Sequence, residues 1–430
     1  MEQSTQQSKI KIENLNELIS VSTFCYTCGK CLTVCPTSLL GIFSPKDFLH
    51  NFINEGYSNI EQFIKKEKLF NCITCEKCMM VCPMVPNQNS TIFSNLIRNI
   101  REYGYYNGLI MEDLYQNSTH DEIMLINPHI QSTIEKLTNK FDRIRSINQI
   151  KVLDEGEIAI FAGCSYLMED VFREYNNNET YIDSIIASIA LLNKVGIKPV
   201  LLDTKCCGHD IYWIGNTESA KKLAEYNVNL LKKAKVKQIV IECAEGYYMW
   251  KYIYPKLVKG FNFEVYHLSE FLLKNNIFKN LIPLMAPTTK VTYHDPCRLG
   301  RFSGIYDSPR ELLKNAVGVE LIEMENIKEM ANCCGVSLFL NCNSNTKRIR
   351  ESRIKEAEQT EAEYLITTCP KCITHFNCFL TEYEKSTNSI HDKDLIDKNQ
   401  NQSEKRIIKK TSKLKVMDLA LFLSKRFKII

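Results

Sequence analysis

The chain of 430 residues contains 19 cysteines, and most of them stand in short clusters. The segments "CYTCGKCLTVCP" and "CITCEKCMMVCP" repeat one spacing, C-x2-C-x2-C-x3-C-P. Thiolates separated by two residues can wrap one iron-sulfur cube corner by corner, while the fourth thiolate points away toward a neighbouring cube. The two segments therefore predict a pair of clusters that lie close enough to exchange electrons.

This spacing is that of bacterial 4Fe-4S ferredoxins, in which three cysteines of each run hold one cubane and the fourth reaches the other. We assign the first cubane to Cys25, Cys28, Cys31 and Cys82. We assign the second cubane to Cys72, Cys75, Cys78 and Cys35. Structural zinc is a weaker interpretation, because a four-ligand site does not explain a doubled run that ends in proline.

Two cysteines stand side by side near the middle of the second half of the chain, Cys333 and Cys334, and Gly335 follows them. A disulfide between neighbouring residues is strained, so two adjacent sulfurs favour one polynuclear metal centre. Together with the surrounding cysteines they form the pattern C…CCG…CxxC, whose members are Cys297, Cys333, Cys334, Cys369 and Cys372. We expect Gly335 to let the backbone bend close to the metal.

A similar but shorter pattern occurs earlier in the chain, at Cys164, Cys206, Cys207 and Cys243. Here Gly246 stands where the second cysteine of the CxxC pair would be. The sequence is compatible with a cubane, an incomplete cluster or an empty site at this position. The two patterns define two copies of one unit, called below the first copy and the second copy.

Each copy alternates short β-rich runs with helical segments, and the runs end at cysteines. The first copy contains "EIAIFAGC", "KPVLLDTKCCG" and "KQIVIECAEG", and the second contains "KVTYHDPC" and "EYLITTCPKC". Such a repeat predicts α/β units with largely parallel sheets, with the cysteines in loops at the strand ends. In "SPRELLKNAVG" we expect Ser308 to cap a helix and Pro309 to occupy its first turn.

The fold class that follows is mixed, with an N-terminal helical 4Fe-4S ferredoxin domain followed by two repeated α/β CCG domains. The segment "SPKDFLHNFINEGYSNIEQFIKKEKLF" between the two ferredoxin motifs has the apolar spacing of helices. The expected ranges are 1–95 for the ferredoxin domain, 96–150 for a helical connector, 157–280 for the first copy and 288–430 for the second. A polar segment, 384–413, is an expected solvated insertion in the second copy.

Composition limits the partners and the compartment. The net charge of +4 gives no electrostatic reason to expect a nucleic-acid partner. The sequence shows no apolar signal core and no run of 18 apolar residues, so we expect no transmembrane segment. Clustered cysteines without a secretion signal favour metal binding in a reducing compartment. We therefore expect a cytoplasmic protein, with peripheral membrane association through a partner protein left open.

The pattern at the second copy resembles the CCG motif of the heterodisulfide reductase catalytic subunits. With a ferredoxin domain in front, the chain is most similar to the D-type catalytic subunits, and it also resembles the iron-sulfur subunits of glycolate oxidase and anaerobic glycerol-3-phosphate dehydrogenase. The ferredoxin domain resembles the C-terminal part of the succinate dehydrogenase iron-sulfur subunit. The resemblance implies a non-cubane 4Fe-4S cluster at the five cysteines of the second copy.

The resemblance further implies a disulfide-reducing subunit that acts on the mixed disulfide of coenzyme B and coenzyme M, with electrons from a membrane cytochrome b. The family uses two facing non-cubane centres. Because Gly246 replaces one cysteine of the first copy, this two-centre mechanism cannot be carried over to the chain in full. The alternative is an electron-transfer subunit that serves a flavoprotein dehydrogenase for glycolate, lactate or glycerol-3-phosphate and never contacts substrate. Loss of one cysteine in the first copy is compatible with this alternative.

The segment "YHDPCRLGR" supplies the candidate catalytic residues. His294 could give a proton to a leaving thiolate, and Arg298 with Arg301 could bind an anionic substrate and raise a cluster potential. In the alternative interpretation His294 and Asp295 only brace the loop. His209 and His375 are expected to be packing partners of the centres, not ligands, and Cys342 and Cys378 to be buried small residues.

Overall fold

The computed structural model confirms the fold class: a helical N-terminal region precedes two α/β units. The described residues are 25–56, 58–85, 91–116, 127–135, 141–172, 181–282, 287–336, 344–391 and 414–430. Short 3-10 turns occur at Lys30–Thr33, Leu69–Asn71, Ile277–Asn280 and Lys328–Met330, and π turns at Phe52–Gly56 and Met249–Ile253. Within these ranges no helix combines the length and the apolar character needed to cross a bilayer.

The N-terminal region is built from short helices around a group of phenylalanines. Its helices are α1 (Pro45–Asn51), α2 (Ile60–Lys66), α3 (Lys77–Met80) and α4 (Ile92–Tyr106). Helix α1 begins after Ser44, whose hydroxyl accepts a hydrogen bond from the Asp47 N–H at 3.1 Å. Phe48 packs edge-on against Phe63 and Phe93, with ring centroids 5.3 and 5.9 Å apart. The helices predicted between the two motifs are confirmed.

A helical segment joins this region to the first copy. It continues from α4 through α5 (Met111–Gln116), α6 (Asn127–Thr133) and α7 (Asp142–Arg145). The predicted domain limit at residue 95 falls inside α4, and the domain limits stay predictions. Arg101 of α4 is buried and donates hydrogen bonds to the carbonyl oxygens of Leu69 and Cys72, each at 2.8 Å, and of Trp213 at 3.2 Å. This arginine therefore ties α4 to the second ferredoxin motif and to the first copy.

The first copy is a parallel sheet covered by helices. Its strands β1 (Ile158–Phe161), β2 (Gln238–Ile241) and β3 (Glu264–His267) pair in that order. Its helices are α8 (Ser165–Phe172), α9 (Tyr181–Lys194), α10 (His209–Trp213), α11 (Thr217–Lys233), α12 (Ala244–Tyr248), α13 (Tyr254–Leu257) and α14 (Leu268–Lys274). Val200 forms parallel bridges with Leu153 and Ala159, so the run "KPVLLD" lies beside β1.

The second copy repeats this arrangement. Its strands β4 (Thr289–Tyr293), β5 (Val319–Leu321), β6 (Tyr364–Thr367) and β7 (Lys415–Asp418) pair in parallel in the order β5-β4-β6-β7. Its helices are α15 (Asp307–Asn315), α16 (Ser344–Glu358), α17 (Pro370–His391) and α18 (Leu419–Arg426). Helix α17 runs through the first part of the predicted polar insertion 384–413, and residues 392–413 lie outside the described residues.

The two copies share one hydrophobic core. Helix α9 packs against α18, and α14 packs against α15. Buried apolar side chains from both copies, among them Ile185, Leu312 and Leu421, belong to this core. The Ala244 N–H also donates a backbone hydrogen bond to the Thr368 carbonyl oxygen at 3.0 Å. The shared core fixes the two cysteine-bearing edges relative to each other.

One predicted helix cap is wrong. Helix α15 begins at Asp307 and follows Tyr306, so Ser308 lies in the first turn instead of capping the helix. The Ser308 hydroxyl hydrogen-bonds the Ser269 hydroxyl of α14 at 2.7 Å. Pro309 does lie in the first turn. The local signal failed because Ser308 has a partner in the other copy that the sequence alone does not reveal.

We expect Ile185→Ala to destabilise both copies together. Ile185 is fully buried in the shared core, and truncation of such a residue costs roughly 2 to 5 kcal/mol of unfolding free energy. Anaerobic thermal unfolding followed by circular dichroism should show one transition at a lower temperature. The control is Ile282→Ala, because Ile282 is 79% exposed and its truncation should change little. Separate unfolding of the two copies would contradict a shared core.

A pair of buried carboxyl groups lies at the boundary of the two copies. Glu242 and Asp418 line a small pocket between the sheets and interact electrostatically. Asp418 caps α18, where its Oδ1 accepts hydrogen bonds from the N–H groups of Ala420 at 2.7 Å and Leu421 at 3.3 Å. Burial raises the pKa of Asp418 from 3.8 to about 7. The folded chain therefore binds this proton more tightly than the unfolded chain does.

From this shift we expect the contribution of Asp418 to stability to fall as the pH rises from about 4 to about 7, because the folded state must give up a proton that the unfolded state has already lost. Asp418→Asn stays neutral and can still cap α18. Between about pH 5 and about pH 7 the melting temperature of the wild type should therefore fall relative to that of this variant. Asp154→Asn, at an exposed aspartate, serves as the control. An unchanged slope in Asp418→Asn would refute the assignment.

Candidate metal centres

The cysteines assigned to the first cubane line one cavity. Its volume is about 550 Å³, and Cys25, Cys28, Cys31 and Cys82 all contribute to its wall, which is otherwise mostly apolar. Cys28 is exposed and Cys25 is half-buried. Four thiols around one cavity are the donor set that a 4Fe-4S cubane needs, so the residues present fit this group. The cavity lies at the surface, where another protein can approach it.

The cysteines assigned to the second cubane line a separate and more enclosed pocket. Cys35, Cys72, Cys75 and Cys78 contribute to this pocket, and all four are buried. Burial raises the pKa of Cys72 to about 12, and a metal would lower this cost by taking up the thiolate. The structure thus separates the eight cysteines into the two groups that the spacing predicts. Their ligand roles stay predictions.

The five cysteines of the second copy approach one another at the ends of β4 and β6. The Cys372 thiol donates to Cys334 Sγ at 3.2 Å, and Cys333 also hydrogen-bonds Cys334. Cys297 interacts electrostatically with Cys334, and Cys369 with Cys372. The hydrogen bond from Cys333 is the largest cause that holds the pKa of Cys334 well below its ordinary value. A cluster of buried thiols around a thiolate suits an iron-sulfur centre.

The Cys-Cys-Gly turn has the same geometry in both copies. Gly335 has φ +83° and Gly208 has φ +78°, values that glycine adopts without strain. The Gly335 N–H donates to Cys333 Sγ at 3.3 Å, and the Gly208 N–H donates to Cys206 Sγ at 3.4 Å. A Cβ on Gly335 would lie 2.8 Å from the Thr346 carbonyl oxygen. The glycine therefore lets the chain turn tightly behind the paired cysteines.

The first copy brings its four cysteines together as well. Cys164 hydrogen-bonds Cys206, Cys206 hydrogen-bonds Cys207, and Cys243 interacts electrostatically with Cys164 and Cys207. At Gly246, where a fifth thiol would stand, the space is tight, since a Cβ would approach Ile241 Cγ2 to 3.3 Å. The four thiols form a compact site, and whether it binds a cluster stays a prediction.

His294 lies beside the thiols of the second copy. Its Nδ1 accepts a hydrogen bond from the Arg353 Nε–H at 3.1 Å, which leaves the proton on Nε2, and the ring hydrogen-bonds Cys334. Burial lowers the pKa of His294 below its ordinary value. The neutral ring can donate a hydrogen bond to a thiolate but holds no extra proton to release. The proton-donor role of His294 stays a prediction.

Asp295 braces the same loop. Its two carboxylate oxygens accept hydrogen bonds from Arg310 at 2.6 and 2.8 Å, and one of them also accepts from the Lys328 N–H at 2.9 Å. Both Asp295 and Arg310 are buried. The bracing interpretation of Asp295 therefore describes the contacts that the side chain makes.

Arg298 lies at the junction of the ferredoxin domain and both copies. Its guanidinium donates to the Thr74 carbonyl oxygen at 2.6 Å, to the Thr74 hydroxyl at 2.9 Å and to His209 Nε2 at 2.9 Å. The rings of Trp213 and Phe302 flank it at 4.3 and 4.0 Å. All of these partners belong to the chain itself. The predicted catalytic role of Arg298 stays a prediction, and its contacts describe a brace.

A buried group of charges connects the two copies, and none of the sequence patterns above predicts it. Lys371 Nζ lies 2.8 Å from Glu245 Oε2 and also pairs with Asp210, which accepts a hydrogen bond from His209. Glu245 and Lys371 occupy the same position in the two repeated motifs, "CAEG" and "CPKC". Opposite charges at equivalent positions of a repeat are the signal that could have revealed this contact.

The two histidines next to the motifs and the two cysteines outside them differ in how well they match the predictions. His375 Nδ1 donates to the Cys334 carbonyl oxygen at 2.7 Å, and His209 Nε2 accepts from Arg298, so both rings are engaged in hydrogen bonds. Cys378 is half-buried, with its thiol 3.8 Å from Glu382 Oε1, so the expectation of a buried residue is wrong there. Cys342 lies outside the described residues.

Comparison with known proteins agrees with this division of the chain. The CCG cysteine-rich domain matches residues 158–250 and 291–377, and the 4Fe-4S dicluster domain matches residues 24–85. The EtfAB:quinone oxidoreductase of Syntrophomonas wolfei is 34% identical over 231 residues, which are 51% of this chain and 31% of that protein. The D subunit of the dihydromethanophenazine:CoB--CoM heterodisulfide reductase of Methanosarcina barkeri is 33% identical over 232 residues, 52% of this chain and 54% of that protein.

A more distant relative matches a longer part of the chain. An uncharacterized iron-sulfur protein of Methanococcus maripaludis is 25% identical over 369 residues, 84% of this chain and 68% of that protein. The chain carries a 4Fe-4S dicluster domain followed by two CCG cysteine-rich domains, and the predicted resemblance is confirmed. It is related to the D subunit of that heterodisulfide reductase, of which it matches about half the length.

We expect Gly335→Ala to be more damaging than Gly41→Ala. Both glycines have positive φ, but nothing lies within 4 Å of a Cβ on Gly41. Gly41→Ala should therefore cost only the backbone strain, about 1 to 2 kcal/mol. Gly335→Ala adds the clash with Thr346 and displaces the paired cysteines. Melting temperature and bound iron per chain, measured on anaerobic protein, should both fall further in Gly335→Ala, and equal losses would contradict this account.

Proposed function

We propose that the chain is the disulfide-reducing component of a heterodisulfide reductase-like complex, with the second copy as the substrate-facing centre. The observation that carries this proposal is the complete five-cysteine set of the second copy beside the second ferredoxin motif, where the buried Cys75 and Cys333 thiols are neighbours. Cys333 and Arg301 favour the Cys75 thiolate, and the hydrogen bond from Cys333 is the largest cause that lowers the pKa of Cys75 to about 6.

The proposed cofactors are two cubanes in the ferredoxin domain and one non-cubane 4Fe-4S cluster at the five cysteines of the second copy, with a further cluster at the first copy left open. Bound iron-sulfur clusters supply single electrons at potentials tuned by charge and hydrogen bonds. Cleavage of a disulfide consumes two electrons and two protons and yields two thiols. The ferredoxin domain delivers the electrons one at a time, and the chain's buried donors, His294 among them, stabilise thiolate charge.

The proposed substrate is a small-molecule disulfide, the coenzyme B–coenzyme M heterodisulfide. The proposed partner is a redox protein, a membrane cytochrome b or a flavoprotein, that meets the exposed side of the first cubane site around Tyr26 and Cys28. Tyr26 is 56% exposed and lines the same cavity as Cys28, so this face can be approached by another protein. The proposed location is cytoplasmic, at the membrane through that partner.

A second candidate function is an electron-transfer component of a flavin-dependent dehydrogenase for glycolate, lactate or glycerol-3-phosphate. The observation that favours it is Gly246 at the position of the fifth cysteine, which leaves the first copy one thiol short of the pair of facing centres. In this function the second copy passes electrons onward and does not bind a disulfide. The two functions therefore differ in the response of the second copy to thiols.

We expect Cys372→Ser to remove one centre and to leave the cubanes intact, because Cys372 contacts Cys334 and lies apart from both cubane pockets. Electron paramagnetic resonance of oxidised anaerobic wild-type protein should gain a signal when coenzyme M thiol is added, and Cys372→Ser should lack it. Cys378→Ser, at a half-buried cysteine outside every motif, is the control and should keep the signal. Cubane signals that ignore thiol in the wild type would refute the disulfide reductase proposal and favour electron transfer.

A further inference from the structure

Among the described residues, the loop that follows Cys297 makes several polar contacts between the second copy and the second ferredoxin motif. Arg298 holds both the carbonyl oxygen and the hydroxyl of Thr74, and Arg301 Nε donates to the Cys75 carbonyl oxygen at 2.6 Å. Nearby, Lys77 Nζ donates to Asn332 Oδ1 at 2.5 Å. These contacts surround the place where the Cys75 thiol meets the Cys333 thiol.

Arg301 is placed to fix that thiol contact. Its guanidinium donates through Nε to the Cys75 carbonyl oxygen. Through a terminal nitrogen it donates to the carbonyl oxygens of Ala331 at 2.8 Å and Glu329 at 3.1 Å. Ala331 lies two residues before Cys333, so one rigid planar group spans both sides of the contact. The side chain is buried, and its charge interacts with Cys75, Cys297 and Cys333.

A lysine could not replace these contacts. The guanidinium fork presents its donors in a fixed plane, whereas an ammonium is a point charge on a flexible stem. Lysine would keep the positive charge beside the three thiols but would lose the simultaneous hold on Cys75 and Ala331. The choice of arginine therefore points to a positional role in addition to an electrostatic one.

We propose that Arg301 is a positioning residue for electron transfer: it holds Cys75 against Cys333, so that electrons pass directly from the second ferredoxin site to the second-copy site. This inference deepens the proposed function and rests on clusters being bound at both sites. In each event the ferredoxin site is oxidised by one electron and the second-copy site is reduced by one electron. No covalent bond forms or breaks in this event, and no proton needs to move.

The test compares Arg301→Lys with Arg101→Lys in the complete, cluster-loaded chain. Arg101 is also buried and also holds a carbonyl oxygen of the second motif, that of Cys72, while its other hydrogen bonds go to Leu69 and Trp213, outside the second copy. One electron per chain is supplied by photoreduced deazaflavin, and freeze-quenched paramagnetic resonance spectra follow its passage from the cubanes to the second copy. Melting temperatures and iron counts report folding and loading.

We expect passage to be about tenfold slower in Arg301→Lys, because small displacements of positioned groups have large effects on rates, with the reduction potentials little changed because the charge is kept. Arg101→Lys should transfer at the wild-type rate. Wild-type speed in a folded, loaded Arg301→Lys protein would overturn the inference. Equal slowing in both variants would also overturn it, since the effect would then come from loosening of the motif in general.

A measurement on the wild-type chain keeps the inference testable if Arg301→Lys does not fold. When both sites are paramagnetic, clusters whose ligands touch should broaden or split each other's resonance signals, and Cys372→Ser should abolish this interaction. Loaded sites without magnetic interaction would overturn the contact route. If instead the wild type shows no iron centre at the second copy, the proposed function itself fails, and the two failures are thereby distinguished.

Discussion

The structure depends on the two buried arginines that follow Cys297. Arg298 and Arg301 extend from the second copy into the second ferredoxin motif, and Arg298 also reaches the first copy through His209. Both side chains are enclosed, and their charges lie beside buried thiols. Removal of either charge would weaken the electrostatic compensation of these thiols, so the junction both holds the domains together and balances their charges.

The junction gives the repeat a functional asymmetry. The two copies have parallel sheets and the same Cys-Cys-Gly turn, and it is the second copy that touches the ferredoxin motif through a cysteine, Cys75 against Cys333. The first copy instead offers its charged loop, in which Glu245 and Asp210 pair with Lys371 of the second. Among the described residues, the first copy thus meets the second through paired charges, and the second copy meets the ferredoxin motif through a cysteine.

Much of this arrangement follows from short-range sequence signals. The cysteine spacings group the eight ferredoxin thiols as the cavities do, since two-residue spacers constrain where neighbouring thiols can lie. Ser44 and Pro45 mark the start of α1, and the β-rich runs end where the strands end, just before the cysteines. These features depend on residues close together in the chain, which local physical rules describe well.

The junction could not be predicted in the same way. Arg298 and Thr74 are separated by 224 positions, and Lys77 and Asn332 by 255, so no local pattern shows that they meet. Ser308 carries a clear capping signal, yet a hydroxyl from another helix engages it. The sequence also suggests substrate binding for Arg298. A charged residue next to a cluster cysteine has the same sequence context whether its side chain faces a ligand or another domain. Only the packing of the copies separates these possibilities.

In the proposed function, two iron-sulfur sites meet where Cys75 lies beside Cys333. The most direct measurement is anomalous X-ray scattering at the iron and zinc absorption edges from crystals grown without oxygen. The account predicts iron at both ferredoxin sites and at the five cysteines of the second copy. Cys75 and Cys333 should lie between the second cubane and the second-copy cluster. Iron confined to the ferredoxin domain, with zinc or no metal at Cys297 and Cys333, would contradict it.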